Sequence, residues 1–539
     1  MALDAVIISD TGSDSLSSTN PLRLNLDQRT ADIQVVQNYL THGGSVQTPI
    51  EGDDQMSWAS APKLNGIYLL NFLTKNNFKV ELINSFYNEK DRFKQLLGRN
   101  PRAVIISTTF IPGKQNLVKL VADIRDLAPD VFVIVGGPLV YMSYLMLERN
   151  KQPDYDTQSA NNEFLFLDIE NEPAVDLCVI SLRGEQILKD VLERLQENKE
   201  IDDIPNCARL IGNEYHFTKR IDDIARSEDF PIDWQALPDA LFKSGVVSMQ
   251  ASNGCPYYCA FCNFTKDRRL TWTKTTERIM AEMQAVQARG ARYVWFVDDN
   301  FRLGKSDLEA VCRRFVDARM DLKWMTFVRA STLDNVDVDL LRQAGCIEVQ
   351  LGLESADPQI LKNMNKKASP ELYDRVLRKL LASGINCSCY FIFGFPGETE
   401  ESAQRTRDFI KSFDEHFYEG ALCWSMFPFL LTPLSPIYEP GARRKYGLSG
   451  YLHKWQHATM NSDQAREQVL KTFLEIEHSG PIYRGDNQEM LSRMGPSVRK
   501  KFEATRQKLS KKALTGPLET ETILKSFRQV LPRSMNFDL

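Results

Sequence analysis

Gly254-Cys255-Pro256-Tyr257-Tyr258-Cys259-Ala260-Phe261-Cys262 follows closely on the apolar run Val246-Val247-Ser248-Met249. Three thiolates this near one another on a single loop can bind three corners of an iron–sulfur cube. The next cysteine, Cys312, lies 50 residues on, so one iron is left open. An open coordination position marks a reacting metal centre. A three-cysteine zinc site with a distant fourth ligand is the other reading. Structural zinc usually shows paired knuckles, and this sequence has no second one.

Outward from the triplet, residues 245–440 alternate strands with helices. Strands are expected at 246–251, 293–297, 323–329, 348–353, 387–393 and 423–429, and helices at 275–289, 305–318, 337–344, 369–382 and 400–413. Six such units fit a partial (β/α)6 barrel, whose chemistry sits at the carboxyl ends of the strands. Trp295, Tyr390, Trp424, Phe427 and Phe429 are candidates to close an apolar barrel top, or simply to fill its core. Cys387 and Cys389 share parity on one strand and so face one side, as interior thiols or as buried structural ones.

The triplet, with Phe261 before its third cysteine, resembles the radical S-adenosylmethionine (SAM) superfamily. The resemblance implies that Cys255, Cys259 and Cys262 carry a [4Fe-4S] cluster and that SAM chelates the open iron. Further elements follow in the family's order. Asp298 and Asp299, in Trp295-Phe296-Val297-Asp298-Asp299-Asn300, stand where the SAM amino group is recognised; one of them is equally suited to cap the next helix. Arg329 is placed to pair with the SAM carboxylate or to form a plain salt bridge. Glu354 and Ser355 belong to Gly352-Leu353-Glu354-Ser355, and Gly394 to the turn Phe393-Gly394-Phe395-Pro396-Gly397-Glu398, where Glu398 can also serve as a first-turn acid of the next helix. Leu434-Ser435-Pro436-Ile437-Tyr438-Glu439 matches the end of the family's barrel.

Residues 1–200 also alternate strands (5–9, 79–83, 103–107, 131–135, 177–181) with helices, which predicts a doubly wound, Rossmann-like parallel sheet. Its ligand is expected at Ser107-Thr108-Thr109 and Gly136-Gly137-Pro138, where small hydroxyls and glycines permit close backbone approach. The order of pieces, including Pro62–Leu69 and Arg183-Gly184-Glu185, resembles the cobalamin-binding domain of one radical SAM subgroup. That implies cobalamin contacts from Ser107, Thr108, Thr109, Gly136, Gly137, Gly184 and Glu185. A domain of the same shape that has lost its corrinoid is the alternative. The segments 10–61 and 141–173 read as insertions. No D-x-H-x-x-G motif is present, and His42, in a polar loop-like stretch, is the one histidine before residue 200. Histidine ligation to cobalt is therefore not expected.

Residues 201–244 read as a linker and hairpin, and 441–539 as a mainly helical C-terminal extension. Trp455, His457, Thr459 and Met460 resemble a W-x-H-x-T-M segment of cobalamin-dependent relatives, with His457 a substrate contact, a barrel closure or a packing residue. The basic helix 497–512 reads as a solvated face, a lid, or a site for an anion.

Composition narrows the partners. The chain of 539 residues has net charge −5 and pI near 5.9, which excludes a broad basic field for nucleic acid. Ten irregularly spaced cysteines argue against a disulfide framework. The N-terminus has no basic signal region, and the uncharged stretches 131–147 and 420–438 are broken by glycine and proline, so a cytoplasmic protein without membrane spans is expected. The resemblance implies a cobalamin-dependent methyltransferase that moves a methyl group from methylcobalamin to an unactivated carbon or a phosphinate phosphorus. Its partners would be a small-molecule or peptide substrate and a flavodoxin- or ferredoxin-like one-electron reductant. A radical cyclisation or rearrangement without methyl transfer is the alternative, and a non-catalytic iron–sulfur or zinc protein the reading from another class.

Overall fold

A computed structural model describes residues 2–12, 22–27, 29–42, 56–168, 171–212, 214–221, 231–263, 271–301 and 303–531. Contacts divide it into two units, Met1–Asp14 with Pro62–Leu237, and Ser15–Ala61 with Pro238–Leu539.

The first unit is built on a sheet whose five parallel strands stand in the order Val80–Ile83, Ala5–Ile8, Ala103–Ser107, Phe132–Gly136, Leu177–Val179. The three central strands are buried almost throughout, as β-branched runs covered on both faces should be. Chain direction reverses across the sheet between Ala5–Ile8 and Ala103–Ser107, the point where a doubly wound sheet opens a crevice. Helices Leu64–Lys75 and Pro138–Arg149 begin at that end of the sheet. The hairpin Cys207–Ile211 and Glu214–Phe217, read from sequence as part of a linker, extends the same sheet by antiparallel pairing.

The second unit holds the barrel sheet. Six parallel strands, Val246–Met249, Tyr293–Phe296, Lys323–Phe327, Cys346–Glu354, Asn386–Phe393 and Leu422–Pro428, pair in chain order. A short seventh, Gly480–Pro481, adds to the last. The sheet does not close, so the barrel is partial. Residues level with one another on neighbouring strands share a face. Trp295, Met325, Glu348, Ser388 and Tyr390 fall on one side, Cys387, Cys389 and Trp424 on the other. Trp424 meets Phe473 of helix Ser462–Glu475, which identifies the second side as the helix-facing one. Cys387 and Cys389 are therefore buried outside the lumen and are not interior thiols.

Several readings change here. Part of the stretch taken as an insertion packs with the second unit. Helix Ile33–His42, whose last residue is the histidine expected in a loop, joins a core with Phe502, Ile523 and Phe527. Met56, Trp58 and Ala61 pack with Val246, Tyr293 and Met325 at the amino-terminal end of the barrel. The C-terminal region also carries strands: Ser449–Tyr451, Lys454–His457 and Met460–Asn461 form a small antiparallel sheet. The basic helix Pro496–Ala513 buries Phe502, Arg506 and Leu509 and is more than a solvated face. No helix among the described residues is long and apolar enough to cross a membrane.

Candidate active site

The cysteine loop leaves the first barrel strand and is anchored from three directions. Asp298, just past the second strand, accepts hydrogen bonds from the backbone N–H of Ala251 at 3.1 Å, from Ser252 Oγ at 2.6 Å and from Ser252 N–H. Burial pushes its carboxyl up to about 6 despite these donors. Asp299 Oδ2 accepts from Gly254 N–H at 3.1 Å. At the far side, Ala260 N–H donates to Met364 O, Ile437 N–H to Ala260 O, and Asn365 Nδ2 to Tyr258 O. Ile437 belongs to the turn that ends the barrel, so that element acts by holding the loop.

Arg329 lies inside this frame. Its guanidinium stacks 3.8 Å over the Tyr257 ring centroid, donates to Cys259 Sγ at 3.6 Å, and donates to the Lys366 carbonyl. Lys366 Nζ donates to Glu354 Oε1 at 2.8 Å and stands 5.8 Å over Phe261. Glu354 ends the fourth strand in the left-handed region at φ 68°, a strained conformation for a non-glycine residue. Phe261 meets Phe395 edge-on at 6.5 Å.

Cys255, Cys259, Phe261, Asp298, Asp299, Arg329, Glu354 and the Gly394 turn thus gather around one loop. Ser355 does not face it: its hydroxyl lies 3.2 Å from Thr406 Oγ1 and accepts from Asp357 N–H. Lys366 and Asn365 fall in none of the motifs read from the sequence, and Tyr257 stands inside the cysteine stretch without a role that its position there announces.

Gly394 sits at φ 85°, and a Cβ there would fall 2.5 Å from both Trp455 and Ala465. His457 Nδ1 faces Thr459 N–H, which leaves Nε2–H to donate to Gly394 O at 3.1 Å. Trp455 stacks on His457 and donates to Phe429 O. The W-x-H-x-T-M segment therefore clamps the ends of the fifth and sixth strands. Glu398 precedes the N-cap Thr399, so it is not a first-turn acid. It is fully buried and accepts from Gly394 N–H, while its Oε1 has no partner. Burial pushes it up to about 8.

In the first unit, Ser107 Oγ and Thr109 Oγ1 are 3.2 Å apart, and Thr108 Oγ1 donates to Gly136 O and accepts from Leu139 N–H. Gly137, at φ 101°, has Thr108 at 3.1 Å from where its Cβ would be. Gly136 and Gly184 both abut Val179, and Glu185 opens the following helix. Asn65 Nδ2 bridges Ser9 O and Ser107 Oγ across the crevice, and its Oδ1 is buried without a partner. The unit's one histidine, His216, is exposed on the added hairpin.

These donor sets fit the groups the sequence implies. Three cysteines on one anchored loop, outside any disulfide, suit an iron–sulfur cluster. A crevice of small hydroxyls, close backbone and one orphaned amide oxygen suits a large polar cofactor held without histidine ligation.

Residues 249–410 match the model of the Radical SAM superfamily. The chain is 25% identical to an uncharacterized methyltransferase of Pyrococcus horikoshii, over 56% of this chain and 64% of that protein. It is 31% identical to the bacteriochlorophyllide d C-12(1)-methyltransferase of Chlorobaculum tepidum, over 46% of this chain and 54% of that one. The chain thus spans less than two thirds of either relative. The fold matches TsrM of Kitasatospora setae, a radical SAM methyltransferase solved with cobalamin and a [4Fe-4S] cluster, with TM-score 0.60, 15% identity, and coverage of 98% and 99%. The match places the cysteine-loop barrel, residues 249–410, in the radical SAM superfamily.

Proposed function

We propose that the protein is a cobalamin-dependent radical SAM methyltransferase that methylates an unactivated carbon or a phosphinate phosphorus of a small molecule or peptide. The observation that carries this reading is the pairing, in one chain, of the anchored three-cysteine loop with a switch-point crevice of the cobalamin-binding shape. Methyltransferases among its relatives support it.

Cys255, Cys259 and Cys262 would hold the cluster, Asp299, Arg329, Glu354 and the Gly394 turn would face SAM, and Ser107–Thr109, Gly136, Gly137, Gly184 and Glu185 would line the cobalamin crevice. When bound, these groups supply a one-electron cleavage of SAM and a carrier for the methyl group. The chain's own contribution is positional. Arg329 donates to Cys259 Sγ and so holds that side chain in place, and Asp298 fixes the loop's entry. The Trp455–His457 clamp sets the Gly394 carbonyl. A one-electron donor of the flavodoxin or ferredoxin kind and a cytoplasmic setting complete the proposal.

The test is anaerobic. The chain is reconstituted with iron and sulfide, incubated with hydroxocobalamin, desalted, then assayed with SAM and reductant. Near-stoichiometric corrinoid together with 5′-deoxyadenosine is the expected result. 5′-Deoxyadenosine without retained corrinoid would overturn methyl transfer and leave a radical enzyme of the rearranging kind.

A further inference from the structure

The lumen-facing side of the barrel carries a polar site that the cysteine loop does not use. Trp295 and Tyr390 lie on that side, Trp295 level with Met325 and Glu348 and Tyr390 nearer the carboxyl end, opposite Gly352. Below them Met56 and Trp58 pack on Val246, Tyr293 and Met325. An apolar plug therefore closes the lower end, which leaves the cysteine-loop end as the way in.

Arg484 reaches this lumen from just beyond the seventh strand. Its Nη2 donates to Tyr390 Oη at 3.3 Å, and its guanidinium carbon lies 5.9 Å from the Trp295 ring centroid. Among the described residues no carboxylate pairs with it. Arg506, nearby, is held by both Asp486 and Glu503. Arg23 has its guanidinium pushed down by burial, with Arg484 and Arg506 among the charges that repel it. Arg23 also has the Asp32 carboxylate beside it, so of these three guanidiniums Arg484 is the one without a carboxylate partner among the described residues. The Trp295 Nε1–H is also buried without a partner. A half-buried guanidinium and an orphaned indole N–H are both costly unless an acceptor arrives. Guanidinium geometry matches a planar carboxylate through two parallel hydrogen bonds. Phe327, 5.6 Å from Tyr390, and the face of Trp295 offer flat apolar walls beside that anchor.

We propose that Arg484, with Tyr390 and the Trp295 indole N–H, anchors the carboxylate of the substrate in the barrel lumen. The substrate class is then a small molecule with a flat apolar body and a free carboxylate. This inference rests on the radical-enzyme reading only in taking the lumen as the substrate chamber.

Equilibrium dialysis of the anaerobically reconstituted full chain, without SAM or reductant, tests it. The probes are 3-phenylpropanoate and indole-3-propanoate, each against its own amide. The expected result is binding of each acid about ten- to a hundredfold tighter than its amide. R484Q should erase that preference while leaving the amide's affinity unchanged, and R484K should retain part of it. Equal binding of acid and amide, no saturable binding of either acid, or a preference that survives in R484Q would overturn the proposal. Should R484Q not fold, W295F, which removes only the indole donor, must weaken acid binding several-fold and spare the amide. No turnover is involved, so a chain that retains no corrinoid fails the earlier reading and leaves this experiment decisive.

Discussion

Two parallel sheets in this chain end in loops that gather ligand groups, and they are built from opposite materials. At the crevice of the first unit the groups are small: serine and threonine hydroxyls, glycine backbone and one asparagine. At the barrel's upper end they are buried charges, each anchored by another part of the site: Asp298 by the loop it holds, Glu354 by Lys366, Arg329 by Tyr257 and Cys259. A crevice of small groups accommodates a large cofactor by shape. A ring of anchored charges fixes a few reacting atoms in place, because buried ion pairs and hydrogen bonds tolerate little displacement.

The contrast can be broken most severely at the cysteines. C259A should abolish bound iron and 5′-deoxyadenosine formation altogether while the unfolding midpoint stays near that of the wild type, as iron assay and thermal melts would show. Next is Glu398, whose carboxyl is raised to about 8 by burial. The native state then holds this proton to higher pH than the unfolded chain does, so stability attributable to Glu398 falls as pH rises from about 4.5 to about 8. E398Q should be level with the wild type below about pH 4.5, gain on it progressively across that window, and hold an advantage of roughly 5 kcal/mol above pH 8. Urea unfolding at pH 4, 6 and 9 checks the sign, and a difference independent of pH would refute it.

G394A comes third. It places a Cβ at a positive φ against Trp455 and Ala465, and should cost about 3 kcal/mol, visible as a lowered urea midpoint. The smallest effect belongs to the crevice. T108V removes the hydroxyl between Gly136 O and Leu139 N–H and should cost about 1–2 kcal/mol. Corrinoid retention should weaken with iron content unchanged. If T108V stripped iron as well, the division of labour between the two sheet ends would not hold.

How legible these parts were follows from the same contrast. Both parallel sheets could be read because their strands are short β-branched or aromatic runs separated by helical periodicity. The cysteine loop could be read because three metal-ligating thiols at fixed spacing have few other uses. What the sequence hid depends on contacts across long separations. The Arg329 contact with Cys259 joins residues 70 apart, and the Tyr390 contact with Arg484 joins residues 94 apart. Neither pair leaves a local pattern. Ser355 shows the reverse: it sits in a recognisable motif, but its hydroxyl serves the start of the next helix.

The stretch 22–61 shows why the barrel cannot simply be cut out of this chain. Its Leu24, Ile33 and Val36 share a core with Phe502 and Phe527, and the Asp486–Arg506 pair receives Ile33 N–H and reaches Ala31 O. During synthesis these early residues leave the ribosome hundreds of positions before the helices that cover them. They must therefore stay unpaired, or be shielded by a chaperone, until the last helix emerges. A fragment beginning at Pro238 would lack both its plug and one wall of its core, and should aggregate unless residues 15–61 are supplied in trans.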